Sequence, residues 1–363
     1  IRPHDNSALV HCRYGYDLGP SVATTVAAVA AGISAYQQSR YYTAKGDAIN
    51  MAEVPAAIFE DFEAEIDEGH SSYNEQYDHM IKMAIVSLEE ACRDQSIGEP
   101  IPLVLAMPEL EISPAIKHSL LIRNLVKNCE PWISPNLART CHSGRAAGIE
   151  AIEFAFKYLH NKYDRMLVGG SDSHSDYARL GPLDDMGRLL TISSPDSFAP
   201  GEAACFLLLT SHPGLAQVRN GQMIALHPPG VVEEPGHLFS NDPYRGDGLD
   251  QAFKKALRHQ PEQSIHSIYS SMNGENHWAK EYGVAYLRNK AAFVDPVRFE
   301  HAADCYGDLG AATATTLIAL AAEHLHKNKN IHKHLVYSSS DTATRAAIVV
   351  EKIDVANHLV RNT

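Results

Sequence analysis

An α/β protein built from two duplicated halves is the fold class that the sequence predicts, on three observations. Short apolar runs with strand character alternate with longer segments of helical period, the pattern of a largely buried sheet covered by helices. The two most apolar helical candidates, "SVATTVAAVAAGISAY" (21–36) and "GAATATTLIALAAEHL" (310–325), are rich in Ala and Thr, as expected where helices pack closely at a protein's centre. Finally, "CHSGRAAGIEAIEFAFKYLHNKYDRMLVGGSDS … AACFLLLT" and "CYGDLGAATATTLIALAAEHLHKNKNIHKHLVYSSSDT … AAIVVEK" run through the same order of Gly/Ala-rich helix, strand, Ser-Asp turn and second strand. The intervals Gly144 to Asp172 and Gly310 to Asp341 each cross one helix and one strand. Duplication with a period well above solenoid size is the simplest account, against chance similarity of two βαβ units. It divides the chain into residues 1–195 and 196–363.

Taken in order, "IPLVLAM" (101–107) reads as a buried strand and "SPAIKHSLLIRNLVKN" (113–128) as a helix capped by Ser113. "NLARTCHSGRAAGIEAIEFAFKYL" (137–159) places Cys141 at the head of a long apolar helix. "RMLVGG" (165–170) is a strand, followed by a loop-rich stretch to about residue 200, and "AACFLLLT" (203–210) is a second strand bounded by Gly201 and Ser211. "GDGLDQAFKKALRHQ" (246–260) is an amphipathic helix and "SIHSIYSSM" (264–272) a strand. The helix 310–325 and the strands "KHLVYSS" (333–339) and "AAIVVEKI" (346–353) close the fold.

Composition excludes several classes of function. Lys and Arg number 31 against 44 Asp and Glu, a net charge of −13 that does not favour nucleic acid or an anionic membrane surface. The six cysteines (Cys12, Cys92, Cys129, Cys141, Cys205 and Cys305) form no C-x-x-C pair, so a zinc site or redox dithiol is not expected and a reduced, cytoplasmic setting is. No run reaches the roughly 18 apolar residues of a membrane span. The histidine-rich "HLHKNKNIHKH" (324–334) mixes His with Lys and Asn after a helix and reads as a solvated loop rather than a metal site. "GGSDSHSD" (169–176) brings Ser, His and Asp together without the G-x-S-x-G elbow of a serine hydrolase. Nucleotide-binding glycine motifs are also absent.

A duplicated α/β chain with Cys at the head of the central helix of its first half resembles the thiolase superfamily, specifically its β-ketoacyl synthase branch. "DSFAPGEAACFLLL" (196–209) is similar to that family's D-G-F-x-P-G-E-G-A strand entry, and "CYGDLGAATA" (305–314) to its G-H-T-L-G-A-A-G-A helix start. "SSMNGENHWAKEYG" (270–283) lies where the family has H-G-T-G-T, and "YSSSDTATRAAIVV" (337–350) where it has a Gly-rich loop before the last strand. The resemblance implies a thiolase-like five-layer αβαβα fold and a homodimer, or a heterodimer with another ketosynthase-like subunit. It also implies a nucleophilic Cys that takes an acyl group from a thioester of coenzyme A or acyl carrier protein. No resident cofactor or metal is implied, and the pathway would be fatty-acid or polyketide-type biosynthesis.

Acyl transfer through Cys141 needs a thiolate, which a strand-to-helix turn favours through the helix's positive end, and a backbone N–H for the oxyanion. Pro135 before it, and Gly144, Ala146 and Ala147 after it, suit that placement. The family's two histidines correspond to Asn273 and Asp308, the latter with one residue deleted, and its Lys is missing, with Ala303 nearest. Asn273 can donate to an oxyanion, whereas an ionised Asp308 would act as a base or orient a neighbour. His142, His277 and His301 lie beside the motifs as possible replacements. The resemblance further implies a structural carboxylate at Glu202 and substrate contacts at Phe198 and Ser339. Plain acyl transfer or thioester hydrolysis is then nearly as well supported as condensation. The opposing expectation is a catalytically silent partner of the chain-length-factor kind.

Overall fold

The computed structural model describes residues 8–12, 22–59, 75–92, 99–110, 112, 117–159 and 161–355. The first set of elements is β1 (Ala8–Cys12), α1 (Val22–Ala30), the hairpin β2 (Gln37–Tyr42) and β3 (Ala48–Met51), α2 (Glu75–Cys92), β4 (Leu103–Ala106), α3 (His118–Cys129), β5 (Ala138–Cys141), α4 (Ala147–Leu159), β6 (Arg165–Ser173), α5 (Tyr177–Asp185) and β7 (Glu202–Thr210). The second is β8 (Gln222–Leu226), β9 (Gly230–Glu233), α6 (Asp247–Leu257), β10 (Ile265–Ser270), α7 (Asn276–Arg288), β11 (Phe293–Glu300), the short α8 (Ala303–Tyr306), α9 (Thr313–Lys327), β12 (Lys333–Ser339) and β13 (Thr344–Asp354).

Strand order shows the repeat directly. One run is β5-β4-β6-β7-β1 and the other β11-β10-β12-β13-β8. In each, the first two pairings are parallel and the next two antiparallel. The runs meet where β1 pairs β8 antiparallel, making one continuous sheet to which β9 adds through β13. Because β7 continues the first run, the strand sets divide between Thr210 and Gln222, downstream of the boundary at residue 195 read from the sequence.

Side-chain alternation explains the layers. Leu103, Leu105, Leu167, Phe206 and Leu208 point to one face and pack with α2 and α3. Their neighbours Val104, Met166, Val168, Leu207 and Leu209 point to the other and pack with α4 and α9. Val336, Ile348 and Val350 reach the same central layer from the second run, while Leu335, Tyr337 and Val349 face α6. The result is five layers with α4 and α9 at the centre, where their Ala-rich sequences allow close contact: an added Cβ at Gly148 would lie 3.0 Å from Ala314 Cβ. No described helix is long and apolar enough to cross a membrane.

Several elements differ from the sequence reading. The helix expected over 113–128 begins at His118 with Lys117 as its N-cap, and Ser113 lies outside the described residues. The stretch taken as loop before residue 200 contains α5, whose start Asp176 caps by accepting from the Ala178 amide, and which tolerates Pro182 inside it. Cys141 is the last residue of β5 rather than the first of a helix, which starts only after a turn at Gly144–Ala146. The histidine-rich stretch is not wholly solvated: His324 lies in α9, His334 is fully buried in β12, and their rings hydrogen-bond at 3.0 Å. β12 needs an inward residue there, and burial overrides local polarity.

Candidate active site

The turn at the head of each central helix is built the same way. Gly144 and Gly310 adopt φ of +50° and +51°, and a Cβ at either would sit about 2 Å from a carboxylate oxygen, of Glu109 and Asp172 respectively. The two turns bring the first half's Arg145 against the second half's Asp308. Arg145 is 5% exposed. Its guanidinium donates to Asp308 Oδ2 (2.5 Å), Asp341 Oδ1 (2.7 Å) and the Ser339 carbonyl (2.9 Å), with Trp278 under it at 4.4 Å.

Asp308 is shared. Its Oδ2 also accepts from Asn273 Nδ2 at 2.8 Å, and its Oδ1 from the Gly310 amide at 2.9 Å. Burial alone would raise its pKa, but Arg145, His174, Gly310 and Asn273 together hold it below the usual carboxylate range. Asp341 joins Arg145 to Arg188, which in turn grips Glu275 through two nitrogens at 2.7 and 2.8 Å. Glu275 accepts further from Trp278 and Asn273. Arg145, Arg188, Asn273, Glu275, Asp308 and Asp341 are all buried, so the region between the two central-helix starts is a dry, paired network.

Asn273 and Asp308 are thus brought together, as the sequence motifs suggested, but around an arginine rather than a thiol. Cys141 is half-buried and packs against Ala106, Ala147 and Ala311. Burial pushes its thiol up to about 12, and Glu150 and Glu153 of α4 push in the same direction, only partly offset by Lys157. Burial thus works against the thiolate that a position just before a helix would otherwise favour. Among the described residues no hydrogen bond joins Cys141 to Asn273 or Asp308.

Among the described residues none of the candidate histidines hydrogen-bonds Cys141, Asn273 or Asp308, although His142 follows Cys141 directly and His277 borders the network through Trp278. His142 hydrogen-bonds Thr140 at 2.9 Å and rests edge-on to His118. His277 stacks on Tyr244 at 4.0 Å, with burial and Arg345 lowering its pKa to about 4. His301 packs on Phe299. His174, which the sequence offered only inside a weak hydrolase motif, is buried, bonds the Gly201 carbonyl, and contributes to holding Asp308 ionised. Phe198 is buried beneath Arg188 and beside His174, within a small core that includes Leu180, Leu189 and Tyr41. Glu202 is buried and accepts from the Val54 amide, Ser173, Ser175 and His79. Sequence reasoning missed Arg145 and Arg188. The available signal was "SGRAAG": a cation at a helix start opposes the helix dipole and so needs carboxylates from elsewhere.

Duplicated five-layer architecture with these turns at its centre is the thiolase-like fold of the ketosynthases. Solved structures agree over nearly the whole chain. The ishigamide ketosynthase/chain length factor matches at TM-score 0.73 and 16% identity, covering 95% of this chain and 98% of that one. The complex of ketosynthase ApeO with its chain length factor ApeC from Xenorhabdus doucetiae matches at 0.70 and 13%, covering 97% and 99%. The ketosynthase from module 6 of the bacillaene synthase of Bacillus subtilis 168 matches at 0.71 and 12%, covering 95% of this chain and 72% of that one. No protein-family model matches the chain, and no curated protein matches it in sequence.

Proposed function

We propose that this chain is a ketosynthase-type subunit acting as the catalytically silent member of a pair, in the manner of a chain length factor, in fatty-acid or polyketide-type biosynthesis in the cytoplasm. One observation carries this reading: Asp308 is bound up in hydrogen bonds from the buried Arg145 guanidinium and from Asn273, so neither of the residues standing for the family's histidines is free to serve a thioester. A paired, desolvated guanidinium costs several kcal/mol to displace, roughly the 3–5 kcal/mol of breaking a buried pair. The raised thiol of Cys141 supports the same conclusion. The pair would draw acyl thioesters of coenzyme A or acyl carrier protein through its other subunit, and no resident cofactor is needed.

The rival, an acyl-thioester enzyme working through acyl-Cys141 with Asn273 and Asp308 opposite, has one observation in its favour. Cys141 is retained, partly exposed, beside the first turn of α4. Intact-protein mass spectrometry after incubation with acyl-CoA and acyl-carrier-protein donors separates the two. The silent reading expects no acyl adduct, and alkylation of Cys141 by iodoacetamide on the order of a hundredfold or more slower than a free thiol. A single acyl adduct that disappears in Cys141→Ala would overturn it in favour of the enzyme.

A further inference from the structure

We infer that Arg179 anchors a binding site for one small monocarboxylate, where the turns after β4, β6 and β12 come together. Arg179 stands in the first turn of α5 and is 7% exposed. Its Nε and Nη1 are shut from solvent and have no acceptor among the described residues. An arginine cannot shed its proton to escape this, so these buried N–H groups call for an acceptor that the described chain does not supply. The neighbouring arginines are satisfied. Arg145 donates to Asp308, Asp341 and the Ser339 carbonyl, and Arg188 to Glu275 and Asp341. Asp341 feels the charge of Arg179, but both of its oxygens already accept from Arg145 and Arg188.

Position and charge choose the ligand. Glu109 follows β4, His174 follows β6 and Asp341 follows β12, and the charge of Arg179 acts on all three. β4 and β6 are parallel neighbours, and the space beyond the carboxyl ends of parallel strands is where α/β sheets receive ligands. A carboxylate offers the guanidinium fork two oxygens. A second negative charge does not suit the site, because Glu109 and Asp341 are already there. Glu109 sets the proton balance. It is 4% exposed, its carboxyl lies against Gly144, and burial with Asp341 raises its pKa to about 7 despite Arg179 and Arg145. Protonated, it is a donor and carries no charge; ionised, it repels an incoming anion. One carboxylate is therefore bound together with one proton, which Glu109 keeps. The inference rests on neither reading of the function, since no step involves Cys141.

Titration calorimetry of the intact chain with sodium acetate, acetamide and inorganic phosphate tests this. Acetate should bind saturably at one per chain, with a Kd of about 1 mM or tighter. Phosphate should bind at least about tenfold more weakly, and acetamide should show no saturable binding. From pH 6 to pH 8 acetate should weaken about tenfold, the factor expected when a group of pKa about 7 loses the proton that the complex retains. Glu109→Gln should bind acetate equally at both pH values. Arg179→Met should abolish acetate binding and keep the wild-type circular-dichroism spectrum, since an apolar side chain replaces an unpaired buried charge. Arg179→Lys, which keeps the charge and loses the fork, should weaken acetate about tenfold. Absence of saturable acetate binding to the wild-type chain, acetamide or phosphate binding as tightly as acetate, an affinity that does not change with pH, or acetate binding unaltered in the two Arg179 variants would each overturn the assignment.

Discussion

Arg145 donates through all three of its guanidinium nitrogens, and each acceptor belongs to the other half of the chain. Asp308→Asn would leave the arginine one carboxylate short, and the expected loss is about 3–5 kcal/mol in urea unfolding, because the remaining charge stays buried. Arg145→Met with Asp308→Asn together should cost clearly less than the sum of the single changes, a coupling that an exposed pair would not show. Glu109 sets the opposite sign. Burial first, then Asp341, raise its pKa to about 7 despite Arg179 and Arg145. A carboxyl whose folded pKa lies above its unfolded value is favoured when protonated. It therefore withdraws stability as pH rises from about 4.5 to about 7 and withdraws it fully above that range. Glu109→Gln should accordingly be more stable than wild type at pH 8, by on the order of 2–3 kcal/mol, and about equal to it at pH 4. Chemical denaturation at the two pH values checks this, and a variant no more stable at pH 8 would contradict the buried placement of the carboxyl.

At the scale of elements, the paired turns decide how the central helices meet. Gly310→Ala would put a Cβ 1.9 Å from Asp172 Oδ2 at a positive φ, and Asp172 at present accepts from the Ala311 amide at 2.9 Å. The cost should be about 3 kcal/mol or more, read as a lowered Tm, with Gly144→Ala similar because Glu109 stands in the corresponding place. These turns were legible in the sequence, since Gly followed by small residues before an apolar helix occurs in both halves at matching intervals. So were the strands that follow them, whose unbroken apolar runs suit a sheet covered on both faces. What surrounds the turns was not legible. Arg145 is unfavourable at a helix start on local grounds, and the acceptors that compensate it, Asp308, Ser339 and Asp341, are more than 160 residues away. The direction of the Cys141 side chain follows from β5 running on through residue 141, which the helical signal of the next segment obscured. α5 was hidden by Pro182, and the boundary between halves by a loop before β7 as long as any domain linker.

Across the whole molecule, histidine burial sets the response to acid. Eight described histidines, His118, His142, His174, His277, His301, His324, His326 and His334, have lowered pKa values, and burial is the largest cause for each. The depression reaches about 4 at His277 and about 2 at His334, where His324, His266, Arg298 and Lys352 add to it. A His depressed in the folded state binds its proton only after unfolding. The unfolded chain thus takes up protons first, and stability falls as pH drops through about 6.5 towards 4. Glu109 works in the other direction, and so do Glu53, Glu281 and Glu300, raised by burial, and His79, raised by Glu202 despite burial. Eight lowered histidines against these five groups leave the histidines dominant. Tm should therefore fall on the order of 10 °C or more between pH 7 and pH 5, before the carboxylates of Asp308 and Asp341 begin to protonate. His334→Leu keeps an inward apolar residue in β12 while removing the most depressed imidazole, and its Tm should vary less with pH over that interval. A Tm that is flat or rises on acidification, or a His334→Leu slope as steep as wild type, would mean that these side chains are solvated, and that the central layer is looser than its packing describes.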